Sequence, residues 1–198
     1  MQIKKITKAE VNELPLMKYE GECQIIDTLD EVDAAVAACQ RVDIIGFDTE
    51  TKPAFRKGEF YPVALLQLAI PGKAYLFRLN KIGLPKSIIS LFENPKIQII
   101  GIGLRDDIKD LQKLTNFKPA GFVDLNELGE SLGFQSIGAR NFAGMFMNHR
   151  ISKSQQVSNW ENEVLTAAQI SYAATDAWIC LGIFDKMSKM TPDDDSSI

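Results

Sequence analysis

Apolar residues along this chain recur at two different periods, and the switches between them outline the elements. Leu29, Val32, Val36 and Cys39 repeat at three- and four-residue intervals up to Gln40, the spacing of one helix face. Short apolar or β-branched runs follow at Asp43–Glu50, Val63–Ile70 and Ala74–Leu79, separated by turn residues such as Pro71-Gly72, and these read as strands. The pattern then alternates: helix at Ser87–Phe92, strand at Ile97–Gly103, helix at Asp106–Leu114, strand at Gly121–Leu125. Two further helices are predicted at Ser136–Met147 and Ala167–Met187, the second opened by a Thr166-x-x-Gln169 capping box. Upstream, Cys23–Ile26 is a short strand candidate, and Thr7-x-x-Glu10 opens a helix that must stop before Pro15. Strands followed by alternating helix and strand predict an α/β domain with a mixed sheet flanked by helices.

Composition narrows the class. At 198 residues and 45% hydrophobic content the chain can bury one substantial core, and no linker-like stretch interrupts it. The reading is one domain over 21–190, an N-terminal appendage over 1–20, and a polar, acidic tail over 191–198 that is expected to be disordered. No apolar run approaches the roughly 20 residues of a membrane span, and the lysines of MQIKKITKAE have no apolar stretch behind them, so neither a membrane segment nor a secretory signal is expected. Cys23, Cys39 and Cys180 are odd in number and lack C-x-x-C spacing, which argues against disulfides or zinc and fits a reducing, cytoplasmic location. The net charge of −4 is not that of a general nucleic-acid binder. Between Ser131 and Trp160, however, there is no Asp or Glu, while Arg140, Arg150 and Lys153 all occur there beside His149, and these three cations are expected to form a local phosphate track.

Four acids stand out from this background. Asp48 and Glu50 end the apolar strand IIGFDTE, and because side chains alternate along a strand both project from one face. Adjacent carboxylates raise each other's pKa unless they share a cation. In GIGLRDDIKDLQKL the stripe Ile108, Leu111 and Leu114 lies about 40° from Asp107 and about 140° from Asp106 at 100° per residue, so Asp107 is predicted to point inward and Asp106 outward. In SYAATDAWICLGIF, Tyr172 and Asp176 are four apart and share a helix face with Ile179 and Ile183. An inward carboxylate needs a partner. Oxygen-only ligands point to Mg²⁺ or Mn²⁺ in preference to zinc.

These segments resemble the motifs of the DEDDy family of 3′→5′ exonucleases, particularly the ribonuclease D and Werner-type exonuclease domains. FDTET carries Asp48 and Glu50, G-x5-D runs from Gly101 to Asp107, and Y-x3-D runs from Tyr172 to Asp176. The similarity extends from about Asp43 to Met187 and includes VALLQLA and KSQQVSNW. It implies a ribonuclease H-like fold with a mixed five-stranded sheet and two divalent cations, Mg²⁺ or Mn²⁺, at the 3′ end of DNA or RNA. Asp48 would bridge both ions, Glu50 and Asp176 would help hold one, Asp107 would reach the other, and Tyr172 would orient the attacking water. The sister family's histidine position is Ser171 here, which selects the tyrosine subclass. By the same resemblance Thr49, Thr51, Leu66 and Gln67 would flank the terminal nucleotide, Arg150, Lys153 and Trp160 would lie near the incoming strand, and Lys52, Arg56 and Lys57 would contact phosphates. The chain has no room for the C-terminal helical domain of ribonuclease D, so a role in transfer-RNA processing is not expected. A dehalogenase-type phosphatase fits less well, because DTET lacks the second Asp of D-x-D-x-T. An inert binding module of the same fold would normally have lost one of the acids, and all four are present.

Overall fold

A computed structural model describes residues 4–190, and the expected acidic tail at 191–198 lies outside them. Six strands form one sheet: β1 (Glu22–Ile26), β2 (Ile44–Thr51), β3 (Val63–Ile70), β4 (Lys73–Phe77), β5 (Gln98–Gly101) and β6 (Phe122–Asp124), in the order β1-β4-β3-β2-β5-β6. The expected count of five is corrected to six: β1 pairs in parallel with the outer edge of β4 from Glu22 opposite Lys73 to Ile26 opposite Phe77. β2, β3 and β4 are antiparallel neighbours, whereas β5 and β6 continue in parallel beyond β2. Gly72, at a φ of 80°, turns β3 into β4.

Helices cover both faces. Phe47, Leu66 and Leu68 face a core shared with α2 (Leu29–Cys39), α4 (Lys86–Phe92) and α5 (Leu104–Leu114). Leu65, Ala69 and Ala74 face α8 (Ala167–Met187). Burial from both sides is why VALLQLA is almost continuously apolar instead of alternating.

The α8 face is built from small residues. Ala69, Ala74, Ala174 and Ala177 form one cluster, and a Cβ added at Gly46 would lie 2.1 Å from the carbonyl oxygen of Ala177. The helix backbone therefore rests almost directly on β2, which brings Asp176 down to the strand that carries Asp48. The capping box at Thr166 forms as predicted, with Gln169 returning its side chain to the Thr166 amide. The Gln169 amide also donates to Ser158 Oγ at 2.8 Å and to the Asn159 carbonyl at 3.0 Å. Buried Arg78 donates to the carbonyls of Asn162 and Glu163, so the loop before α8 is anchored from two sides.

Two more expectations need correction. The strand predicted to run to Leu79 ends at Phe77, and Leu79 opens a short helix, α3 (Leu79–Ile82). The single helix predicted at Ser136–Met147 is α7 (Ala139–Phe142) followed by a π-helical turn, Ala143–Met147, which ends at Asn148 in the left-handed region at φ 55°. The N-terminal segment, expected as an appendage, packs on the rest of the chain. Its helix α1 (Lys8–Glu13), capped by Thr7 and Glu10, buries Val11, and Gly144 leaves room for Ile6, Val11 and Leu14. A helix absent from the prediction, α6 (Leu125–Ser131), follows β6. None of the described helices is long and apolar enough to cross a membrane.

Candidate active site

Asp48 and Glu50 project from the α8 face of β2, where alternation along the strand puts them, and Asp176 meets them from α8. One carboxylate oxygen from each of the three lies within 4.8 Å of the others. Burial raises all three pKa values, and repulsion from neighbouring acids adds to it at Asp48 and Glu50. Asp48 is pushed well up by burial, then by Asp176, Glu50 and Asp107. Glu50 rises to about 9 from burial, then from Asp176 and Asp107. Asp176 rises to about 7 from burial, against a hydrogen bond from Tyr172 that lowers it. Among the described residues none of these acids has a cationic partner in an ion pair. A close group of oxygen donors destabilised by its own charge fits a hard divalent cation, which would relieve the repulsion.

Asp107 occupies a separate position. It stands in the first turn of α5, on the opposite face of the sheet from α8, and its carboxylate accepts a hydrogen bond from Thr49. Burial raises it to about 6, with the Thr49 bond opposing the rise. Asp106, one residue earlier, is exposed, as the helical wheel predicted. The tight start of α5 depends on Asp124, which accepts from the amides of Gly103 at 2.9 Å and Leu104 at 2.8 Å and also caps α6 through Asn126. The geometry thus presents a group of three acids and a fourth held at its margin.

Tyr172 lies one turn before Asp176 and donates its hydroxyl to that carboxylate. Burial first, then the charges of Asp176 and Glu50, push its own pKa upward, so the phenol keeps its proton. Trp160 packs against the Tyr172 ring at 6.0 Å between centroids.

A groove of about 570 Å³ leads away from Tyr172 and Asp176, and it is flanked by Lys8, Arg140 and Lys153. Of the residues expected to contact substrate, Arg140 and Lys153 lie in this groove. Thr49 instead holds Asp107, and Thr51 is half-buried just past a register shift in the β2–β3 pairing. Leu66 and Trp160 are both 0% exposed, and neither side chain lines the groove. Gln67 is equally buried, directly opposite Asp48, with neither amide atom hydrogen-bonded. Arg150 spends its Nε on the Leu14 carbonyl at 3.0 Å and does not line the groove. Lys52 is paired with Glu161 at 3.1 Å, and Arg56 lies 3.9 Å from Glu59. The sequence reading missed Lys8, Asn141, Ser152 and Gln156 in the groove wall, and no periodicity marks any of them.

Comparison with known proteins places this geometry. The chain is 31% identical over 154 residues to mouse WRN, a bifunctional 3′-5′ exonuclease/ATP-dependent helicase, covering 75% of this chain and 11% of that protein. It spans between 11% and 26% of the length of the first two curated relatives it matches. In structure it is similar to the Nibbler EXO domain of Aedes aegypti, with a TM-score of 0.80 and 22% identity over 87% of this chain and 91% of that one. It is also similar to Escherichia coli RNase D, with a TM-score of 0.77 and 22% identity over 84% of this chain and 44% of that one. Both likenesses establish the ribonuclease H-like fold. The sequence profile of 3′-5′ exonucleases matches residues 23–192, which contain Asp48, Glu50, Asp107 and Asp176, and the chain therefore belongs to the 3′-5′ exonuclease family.

Proposed function

We propose that this chain is a metal-dependent 3′→5′ exonuclease that hydrolyses the terminal phosphodiester bond of DNA or RNA and releases nucleoside monophosphates. The observation that carries this reading is the convergence of Asp48, Glu50 and Asp176 within 4.8 Å at the end of a groove flanked by three cations. Asp48, Glu50 and Asp176 would hold one Mg²⁺ or Mn²⁺ ion, and Asp48 with Asp107 would serve a second. Such ions lower the pKa of an attacking water and neutralise charge on the leaving 3′-oxygen. Tyr172 keeps its proton, so its role is to orient the water by hydrogen bonding and not to act as a base. The Trp160 ring at its back and the Asp176 carboxylate at its hydroxyl fix its direction. Thr49 holds Asp107 at the margin of the site, and Lys153 faces the strand. Gln67 lies opposite Asp48 beneath the terminal nucleotide, and Thr51 stands at the rim.

The similarity to RNase D, an exoribonuclease, supports RNA among the substrates, and the three free thiols fit a reducing, cytoplasmic location. The test is release of nucleotides from 3′-labelled single-stranded and duplex oligonucleotides, as DNA and as RNA, with Mg²⁺, with Mn²⁺ and with chelator. Shortening from the 3′ end only in the presence of a divalent cation supports the reading. Metal-independent release, or none on any substrate, refutes it.

A further inference from the structure

The segment over residues 4–20 lies ahead of the family match, which begins at residue 23, yet it runs along the basic stretch that borders the active site. The Gln135 amide donates to the Lys4 carbonyl at 2.9 Å, and Ser136 bonds both the amide and the carbonyl of Ile6. Arg150 donates its amide to Pro15 and receives the Met17 amide, each at 2.9 Å. The Tyr19 amide donates to Thr175 Oγ1 at 2.9 Å, one residue before Asp176. The segment is thus a strap fastened at both ends of the groove.

Between those fastenings the strap presents polar groups to the groove. Lys8 is exposed and lines it together with Arg140, Lys153, Tyr172 and Asp176. Asn12 Oδ1 accepts from Arg140 Nη2 at 2.7 Å, while Arg140 Nε is buried without a partner. No ion pair involves Lys8, Arg140 or Lys153 among the described residues. Helix stability does not explain Lys8 either: at the first position of α1 a cation opposes the helix dipole. Cations gathered around a groove without carboxylate partners complement a polyanion, and arginine held by a neutral side chain keeps its whole charge for that ligand.

We propose that the strap is one wall of the nucleic-acid groove, in which Lys8 contacts a phosphate of the bound strand and Asn12 positions Arg140 on another. This rests on the exonuclease reading and adds to it an element outside the matched family region. The test compares the full-length chain with Lys8→Ala, Asn12→Ala, Arg140→Ala and the Asn12→Ala/Arg140→Ala double variant. Two substrates are used: a single-stranded oligonucleotide, as DNA and as RNA, and the p-nitrophenyl ester of thymidine 5′-monophosphate, which has no preceding phosphates.

Lys8→Ala and Arg140→Ala should each raise KM for the oligonucleotide several-fold at low salt and reduce the slope of log affinity against log salt by about 0.7, the value for one contact to a single strand. Turnover of the ester and thermal unfolding of Lys8→Ala should match wild type. Asn12→Ala should weaken oligonucleotide binding in the same direction and add nothing in the Arg140→Ala background. The proposal is overturned if wild type degrades the oligonucleotide and Lys8→Ala leaves KM and salt slope unchanged. It is equally overturned if Lys8→Ala slows the ester as much as the oligonucleotide. A wild-type protein that turns over neither substrate instead removes the exonuclease reading, and the strap proposal with it.

Discussion

Without a divalent cation, the acid cluster should make the fold less stable as pH rises, and with one this dependence should disappear. Glu50 titrates at about 9 in the folded chain against 4.5 ordinarily, because of burial and the neighbouring Asp176 and Asp107. Above 4.5 the unfolded chain releases this proton and the folded chain retains it. The contribution of Glu50 is therefore most favourable below 4.5 and declines until the folded group ionises. By pH 7 the decline amounts to about 3 kcal/mol, at about 1.4 kcal/mol per pH unit. Asp176 and Asp107, raised to about 7 and about 6, act in the same direction. In a domain of this size about 1 kcal/mol moves Tm by roughly 2–4 °C, so Glu50 alone should lower it by roughly 6–12 °C between its unfolded value and neutrality. A cation bound to the ionised carboxylates stabilises the state that is otherwise disfavoured, and does so more as pH rises. The assay is thermal unfolding followed by circular dichroism from about pH 5 to about pH 9, in chelator and in saturating Mn²⁺, on wild type and Glu50→Gln. The difference between the two proteins cancels the titration of groups remote from the cluster and leaves that of Glu50 together with its effect on Asp48. Wild type should lose stability relative to Glu50→Gln as pH rises in chelator and recover it in Mn²⁺. Parallel profiles with and without metal, or a difference that grows in favour of wild type in chelator, would refute the reasoning.

Other perturbations separate the roles assigned to single residues. Tyr172→Phe keeps the ring against Trp160 and removes the hydroxyl, so turnover should fall by roughly 10²–10⁴ while calorimetric metal affinity changes little; unchanged turnover would eliminate the water-orienting role. Asp107→Asn should reduce the rate far more than Asp106→Asn, because the latter side chain is exposed; kinetic measurement of both variants in saturating Mn²⁺ checks the order. Asp48→Ala should abolish turnover and raise Tm in chelator, since it removes one member of a mutually repelling group, and near-wild-type activity would contradict it. Gly46→Ala places a methyl 2.1 Å from the Ala177 carbonyl and should cost about 1–3 kcal/mol in denaturant unfolding; an unchanged midpoint would show that α8 can move away from β2.

Where local physics decides, the sequence was readable. The two capping boxes formed at Thr7 and Thr166, the wheel separated Asp107 from Asp106, and alternation along IIGFDTE put Asp48 and Glu50 on one face. The convergence of Asp48 with Asp176 depends on a seam of alanines and Gly46 that no periodicity announces. The full burial of Leu66 and Trp160 was not readable, because a strand covered on both faces, and an aromatic in an irregular loop, give no pattern from which to tell core from groove. Helix α6 was hidden by Gly129, a poor helix former that is required where the Phe142 ring would lie 2.8 Å from a Cβ. Lys8 and Asn12 were invisible for another reason: Asn12 meets Arg140 across 128 positions of chain, and contacts of that range leave no local trace.

The docking of α8 on β2 also sets when the acid group is complete. Asp176 is supplied by the final helix of the described residues, after all six strands have been made, and it reaches Asp48 and Glu50 only once Ala177 settles over Gly46. A chain still emerging from the ribosome can pair its whole sheet and yet lack a complete set of ligands. The three-acid group is therefore among the last features of the domain to be completed as the chain is made.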